Sequence, residues 1–232
     1  MRYWTYLEIR TKVREDLGIE QEEFISANEM LAYCNEAIDE AETEIHTLYK
    51  DYFLSKKTID VVSGQTEYPM PTDIFANNIR SMIYVNGTDV YKVLRYNNMH
   101  NIFEKIESDT LFAQASYLRY FLTNPSASQG VTINLVPLPI TSQNGALKLY
   151  YIRNANRMID DTSVCDIPEF VDFVLQYMKV RCYEKESHPN LGLAVAALES
   201  KRKNMNDTLA NMVPDGEQEL EQDTEFYRDM EV

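Results

Sequence analysis

The chain has 232 residues, a length that can bury the core of one large domain or of two small ones. Its formal net charge is −15: residues 1–55 carry 13 acids and 5 bases, and residues 214–232 carry 8 acids and 1 base. This acidity argues against a protein that grips phosphates, which needs clustered lysine and arginine, but it suits a surface past which DNA slides without sticking.

Helical periodicity dominates the first part of the chain. A first helix is predicted from Tyr3 to Leu17, where Gly18 ends it. The next helix has a stronger signal, because Ser26 at the N-cap and Glu29 three residues later match a capping box. Apolar residues then recur every three or four positions over about seven turns. They are Met30, Leu31, Cys34, Ile38, Ala41, Ile45, Leu48, Tyr49 and Tyr52.

The opposite face of this second helix is acidic, with Glu36, Glu40 and Glu44 four residues apart. Glycoside hydrolases also use paired carboxylates, but such a pair sits in a cleft that perturbs the pKa of one of them. Carboxylates opposite an apolar stripe give no such sign, so we interpret these three as a solvated face. The basic runs Lys56-Lys57 and Lys201-Arg202-Lys203 are interpreted as surface charge, with contact to an acidic partner as the alternative.

From Lys56 the pattern changes to alternation, which predicts an antiparallel β domain that extends to residue 165. Strand signals occur in KKTIDVV, TEYPMP, SYLRYFLTN, GVTINLVPLP and GALKLYYIRNA. The segment RSMIYVNGTDVYKVLRY predicts a hairpin, in which Asn86 and Gly87 would form a type I′ turn because both residue types tolerate positive φ.

Helices return at Asp166, which is a predicted N-cap with Pro168 in the first turn and Glu169 at N3. A last helix runs to about Val213. Residues 214–232 are too acidic and too poor in apolar side chains to fold alone, so we interpret them as a docking segment, with an incidental disordered end as the alternative. Its predicted anchors are Phe226, Tyr227 and Met230.

The pattern as a whole predicts an α+β fold in three parts. Residues 1–55 and 166–213 would form an antiparallel helical bundle, residues 56–165 an inserted antiparallel β domain, and residues 214–232 an extended C-terminal tail. The first residues lack an apolar core of signal-peptide length, and the apolar run LGLAVAAL is too short to cross a bilayer, so no membrane is expected.

The sequence offers little for catalysis, and we expect no enzyme activity, cofactor or metal. His46, His100 and His188 lie in separate elements without the spacing of metal ligands. Neither a phosphate-binding glycine loop nor a nucleophile motif is present. The three cysteines are far apart and lack C-x-x-C spacing, which predicts folding in a reduced, cytosolic compartment.

Two segments resemble head-to-tail adaptor (connector) proteins of tailed bacteriophages, especially the short-tailed ones. One is a strand followed by G-x-x-x-Y-x-(L/M)-P-x-D, and the other is a strand with Tyr, then Asp-Asp and (I/L)-P-E before a long helix. Here they correspond to Gly64, Tyr68, Pro69, Pro71 and Asp73, and to Tyr151, Asp160, Asp161, Ile167, Pro168 and Glu169. The resemblance covers about residues 25–190 and marks a fold, because none of these residues is catalytic.

The resemblance implies a structural, non-enzymatic virion protein. Such proteins form a ring, usually a dodecamer, between the portal and the tail (nozzle or tail-tube) protein, and DNA passes through without sequence-specific binding. The implied location is the head–tail junction, after assembly in the host cytoplasm. The implied channel-facing residues are Glu36, Glu40 and Glu44, and the implied portal-docking residues are Phe226, Tyr227 and Met230.

Two alternatives remain open at the level of sequence. One is a tail-associated cell-wall (peptidoglycan) hydrolase, which would need two cleft-facing carboxylates that the sequence does not single out. The other is a different neck or tail-completion ring protein.

Overall fold

The computed structural model describes residues 2–18, 25–96, 118–126 and 130–212. The described residues of Met1–Lys50 and Ala155–Val232 form a helical unit, and those of Asp51–Asn154 form a β unit. The fold is therefore mixed α+β, as predicted. The helical unit contains α1 (Tyr6–Leu17), α2 (Ala27–Leu48), a 3₁₀ turn (Pro168–Phe170), α3 (Val171–Glu186) and α4 (Leu191–Met212).

Helix α1 begins at Tyr6 and not at Tyr3, because Thr5 and Glu8 form a capping box that fixes its first turn. Gly18 ends the helix with a left-handed φ of 66°, as predicted. The residues that α1 buries are Tyr6, Ile9 and Val13, whereas Leu7 is exposed.

Helix α2 begins with the predicted capping box. The Ser26 hydroxyl accepts the N–H of Glu29 at 3.3 Å, and the Glu29 carboxylate accepts the N–H of Ser26 at 2.9 Å. The helix ends at Leu48, so the apolar stripe predicted through Tyr52 was one turn too long. The side chains that α2 buries are Met30, Cys34, Ala37, Ile38, Ala41 and Ile45.

Helix α3 packs against α1, α2 and α4, and it therefore organises the helical unit. The predicted N-cap at Asp166 was wrong: this carboxylate accepts the N–H of Asn156 at 2.9 Å, and the 3₁₀ turn precedes the helix. Pro168 suits that turn because it has no N–H to leave unpaired. The fully buried side chains of the unit include Ile9, Val13, Ile38, Ile45, Val174, Met178 and Leu209.

The β unit contains two four-stranded sheets with the orders β1-β8-β3-β4 and β2-β7-β6-β5. One apolar core draws buried residues from both sheets, including Tyr68, Met82, Ile133, Leu135, Leu147 and Leu149. The strands are β1 (Leu54–Val61), β2 (Glu67–Pro69), β3 (Ile74–Asn86), β4 (Asp89–Lys92), β5 (Leu94–Arg95), β6 (Arg119–Ser126), β7 (Gly130–Val136) and β8 (Gln143–Arg153).

Two local predictions for the β unit were wrong. Strand β5 pairs with β6 in parallel, because a long connection separates them and a tight turn is not required. The β3–β4 hairpin closes at Asn86 and Asp89, so its turn residues are Gly87 and Thr88. Of these two, only Gly87 has positive φ, which fits a type II′ turn and not a type I′ turn.

The first of the two sequence motifs forms a clamped turn in the β unit. Tyr68 is only 2% exposed, and its hydroxyl accepts the N–H of Val62 at 3.1 Å and donates to the Gln65 carbonyl at 3.0 Å. Gly64, between those two residues, has a φ of 79°. The buried phenol therefore bonds both sides of a turn that needs glycine.

The second motif joins the first through a side-chain contact. The Tyr151 hydroxyl on β8 donates to the Asp73 carboxylate at 3.0 Å, and the N–H of Asn154 donates to the Asp73 carbonyl at 2.7 Å. The end of β8 is thereby bonded to the segment that follows β2.

Tyr68→Phe is expected to lower the free energy of unfolding by about 1–3 kcal/mol, because two partly buried backbone groups lose their partner. The control is Tyr91→Phe, which removes a hydroxyl that donates to Asp89 at 3.3 Å on the exposed hairpin and should change stability by about 0.5 kcal/mol or less. Urea unfolding of the two variants measures both effects. Equal losses of stability in the two variants would show that the Tyr68 hydroxyl does not stabilise the turn.

Candidate partner-binding surfaces

Glu36, Glu40 and Glu44 lie on one side of α2, as their spacing predicts, and each contacts a base from another helix. Glu36 accepts a hydrogen bond from Arg181 of α3 at 3.0 Å, and Glu40 accepts one from Arg202 of α4 at 2.7 Å. A Glu44 oxygen lies 3.6 Å from Arg202. The three side chains keep 30–45% of their exposure. This acidic helix face is thus a solvated surface and also an ion-pair seam between helices.

The basic run at residues 201–203 takes part in the same seam. Arg202 also contacts Glu199 of its own helix at 3.2 Å, and its side chain is only 26% exposed. Lys201 donates to Asp172 of α3 at 2.8 Å, whereas Lys203 is exposed. Two of the three bases therefore hold helices together and are more than the surface charge that the sequence indicated.

The loop after β8 bonds the start of α1. The N–H of Tyr6 donates to the Ser163 carbonyl at 2.8 Å, and the N–H of Leu7 donates to the Asp161 carbonyl at 3.2 Å. The Asp161 carboxylate also accepts from Arg10 at 3.0 Å. Because the first N–H groups of a helix have no intrahelical partner, the loop satisfies them, and its carboxylate suits the positive end of the helix dipole.

The same loop is bonded to α2. The Asn35 side chain forms two hydrogen bonds with the backbone of Met158, at 2.8 Å to its N–H and at 3.0 Å to its carbonyl. The Glu42 carboxylate accepts the N–H of Ala155 at 2.8 Å. The Asp-Asp motif therefore lies in a loop that connects to two helices, and its role there is architectural.

Helix α4 presents an uncharged surface in its first turns. Leu193 is 74% exposed and Val195 is 39% exposed, whereas Ala194 and Leu198 are buried. We call the exposed set the α4 apolar face; it consists of Gly192, Leu193, Val195, Ala196 and Ala197. An exposed apolar patch of this kind is typical of a surface that another molecule covers.

A second exposed apolar patch lies where the chain enters α1. We call it the N-terminal patch, and it consists of Tyr3, Leu7, Ile159 and Val164, whose exposures range from 45% to 80%. Its two segments are joined by an antiparallel bridge between Thr5 and Val164. This patch lies at the start of α1 and in the loop that follows β8, whereas the α4 apolar face lies on a different helix of the same unit.

The β unit carries a pocket of about 300 Å³ beside the loop that follows β7. We call residues 137–142, which have the sequence PLPITS, the proline loop. Tyr84, Leu118 and Gln143 complete the main part of the lining. Leu138 and Ile140 are 48% and 66% exposed, so two apolar side chains face solvent at the rim of the pocket, beside the polar Thr141 and Ser142.

The three cysteines are free and buried. Burial raises the pKa of Cys34 and of Cys182 to about 12 and that of Cys165 to about 11. All three are therefore protonated thiols near neutral pH, whereas the thiolate is the reactive nucleophile and metal ligand.

Two of the three histidines make side-chain contacts within the described residues. His46 lies 3.3 Å from Glu42 on α2, and His188 stacks on Tyr183 at a centroid distance of 4.4 Å. His100 lies outside the described residues. Across residues 2–18, 25–96, 118–126 and 130–212, no cluster of three or more His, Cys, Asp or Glu side chains could hold a metal ion.

None of the helices in the described part of the chain is long and apolar enough to cross a lipid bilayer. The three predicted docking anchors, Phe226, Tyr227 and Met230, lie outside the described residues, so their role stays a prediction.

A protein-family model described as SU10 adaptor protein matches residues 4–224. The matched range spans the helices and strands of both units and extends into the acidic C-terminal segment. No curated protein matches the chain.

Arg202→Ala is expected to lower the free energy of unfolding by about 1–2 kcal/mol, because the charge-assisted hydrogen bond to Glu40 and the ion pair with Glu44 are lost from a partly screened site. Lys203→Ala is the matched control on the same helix and should change stability by about 0.5 kcal/mol or less. Thermal or urea unfolding measures the difference. If Lys203→Ala were the more destabilising of the two, the ion-pair seam would not stabilise the unit.

Proposed function

Because the chain belongs to the SU10 adaptor protein family, we propose that it is a structural protein of a tailed-phage virion that connects the head to the tail without catalysing a reaction. Membership of this family bears out the resemblance to phage head-to-tail adaptors. The single observation that carries the proposal is the length of the match, residues 4–224, which includes both units.

The domain arrangement belongs to the same proposal. The helices of residues 1–50 and 155–212 act as one bundle, residues 51–154 form the β domain inserted into it in the sequence, and residues 214–232 are a docking tail. The packing of α3 against α1 and α2 supports the bundle, because it joins helices from the two ends of the sequence.

In the virion the chain forms a ring, for which twelve copies is the number expected of such adaptors. A closed ring needs heterologous contacts, in which two different surfaces of each copy meet. The helical unit offers two distinct apolar surfaces, the α4 apolar face and the N-terminal patch at the start of α1. Helices α1 and α4 both pack against α3. These surfaces support a contact in which one copy covers the patch of the next.

The helical bundle lines part of the DNA exit channel in this proposal. The described residues of the helical unit include 18 acids and 12 bases, a net charge of −6, which repels the DNA backbone. Glu36, Glu40 and Glu44 are the predicted channel-facing residues. Their partial exposure supports that role, and their arginine partners would hold the carboxylates in place.

The proposed partners are the portal, the tail (nozzle or tail-tube) protein, and further copies of the chain. The acidic tail binds the portal through Phe226, Tyr227 and Met230, the predicted anchors. Assembly takes place in the host cytoplasm, and the final location is the head–tail junction. The three free cysteines support a folding route without disulfides.

Purified chain mixed with portal particles of the same phage should form a ring at one end of each portal, visible by electron microscopy. A chain that lacks residues 217–232 should bind the portal at least about tenfold more weakly, because its apolar anchors are lost, while its circular dichroism stays unchanged. Undecorated portals would contradict the adaptor function. A loss of helix signal on truncation would show instead that the tail is part of the fold.

Leu193→Glu is expected to reduce the number of copies bound per portal, because it places a charge in the α4 apolar face, and to leave stability nearly unchanged, because Leu193 is 74% exposed. The control is Val90→Glu on the β3–β4 hairpin, a position 61% exposed, which should assemble normally. Native mass spectrometry counts the copies. Full rings with the Leu193 variant would exclude this face from the contact.

A further inference from the structure

The proline loop is held in place by the turn that Gly64 makes possible. The N–H of Gly64 donates to the Pro139 carbonyl at 2.9 Å, and the Ser63 hydroxyl donates to the Ile140 carbonyl at 2.8 Å. The N–H of Ser63 donates to the Ser142 hydroxyl at 2.9 Å. Three hydrogen bonds therefore anchor the six residues of the loop. The pocket beside it is preformed, and the loop loses little conformational freedom when a ligand binds.

The pocket suits one or two large apolar side chains. Its volume of about 300 Å³ is at the lower end of the range for ligand sites. Leu118 and Tyr84 are buried and form part of the wall, whereas Leu138 and Ile140 project into solvent at the rim. A ligand that covered those two side chains would remove apolar surface from water.

Positive charge lies at the same end of the sheet. Arg119 is the first residue of β6 and pairs with Val136, the residue immediately before the proline loop. Arg95, on the neighbouring strand β5, is paired with Tyr120. The backbones of two arginines therefore lie at strand ends close to the start of the loop.

The two units differ in charge. Residues 51–154 carry nine bases and eight acids, a net charge of +1, whereas the described residues of the helical unit sum to −6. An acidic peptide is therefore repelled by the helical unit and meets no such net repulsion at the β unit.

We propose that the C-terminal segment of this same chain, residues 213–232, docks in the proline-loop pocket. Residues 214–232 carry eight acids and one base, a net charge of −7, which is complementary to Arg95 and Arg119 on the strand ends near the loop. The adjacent pair Phe226 and Tyr227 supplies the apolar side chains that the pocket can take, and Met230 can cover the rim.

The segment is long compared with the pocket. The described chain ends at Met212, and the 14 residues from there to Phe226 span up to about 46–50 Å when extended. The pocket that it enters is that of the same copy or that of a neighbouring copy, and the test below distinguishes the two. Since the proposed portal contact uses the same three anchors, the portal and the pocket compete for the segment.

The test uses the full chain without portal, so that its outcome is separate from that of the portal assay. Tyr227 is replaced by the photo-crosslinking residue p-benzoylphenylalanine, and crosslinked peptides are mapped by mass spectrometry. Crosslinks are expected in residues 137–143, with a yield that falls as ionic strength rises, because salt screens the charge attraction. Crosslinked monomer identifies docking within one copy, and crosslinked dimer identifies docking between copies.

Matched variants complete the test. Ile140→Asp should reduce the yield at least about tenfold, because it removes an apolar contact and adds a negative charge to the rim. Leu54→Asp is the matched control: this exposed apolar side chain lies at the end of β1 that is farthest from Val61, the residue that pairs with Gln143, so the yield should not change. Crosslinks to the helical unit or to residues 97–117, no crosslinks at all, or a yield unaffected by Ile140→Asp would each overturn the proposal.

Discussion

Residues 155–165 return the chain to the helices after the last strand, and the polar groups of this loop have to be bonded there. Asn35 of α2 satisfies the backbone of Met158 in both directions, and the loop in turn bonds the first N–H groups of α1. Buried or partly buried backbone groups without partners destabilise the folded state. These hydrogen bonds therefore fix the positions at which α1 and α2 contact the loop. The apolar packing around α3 then follows from helices whose ends are already positioned.

The parts of the fold that depend on local chemistry were predictable from the sequence. The capping box at Ser26 and the left-handed Gly18 both lie where the pattern indicates, because each satisfies backbone groups within a few residues. The predictions that failed concern side chains whose bonding partners are distant in the sequence. Asp166 has the right side chain for an N-cap, but Asn156 supplies the N–H that it accepts. Helical periodicity gave no sign that Arg181 and Arg202 would meet the acidic face of α2, because the partner of a surface helix cannot be deduced from its own sequence.

The residues that carry the resemblance to phage adaptors form hydrogen bonds that hold the fold together, and they are not arranged as reactive groups. Tyr68 clamps a turn, Tyr151 bonds to Asp73, and Asp161 caps a helix. Each is a polar group paired inside the fold, an arrangement that specifies geometry. The candidate binding surfaces lie elsewhere, on exposed apolar side chains of α4, of the entry to α1 and of the proline loop. Sequence reasoning missed these surfaces because exposure depends on which neighbours a helix or loop acquires. The apolar run LGLAVAAL was the signal available for the first of them.

The buried thiols make the chain suitable for labelling at introduced cysteines. Cys34, Cys165 and Cys182 are shielded and protonated near neutral pH, so maleimide reagents should react with them slowly. One surface cysteine introduced into each unit would then carry a donor or an acceptor dye with little background labelling. Single-molecule energy transfer between those dyes could follow the distance between the units before and after the chain joins a larger assembly, without removal of any native cysteine.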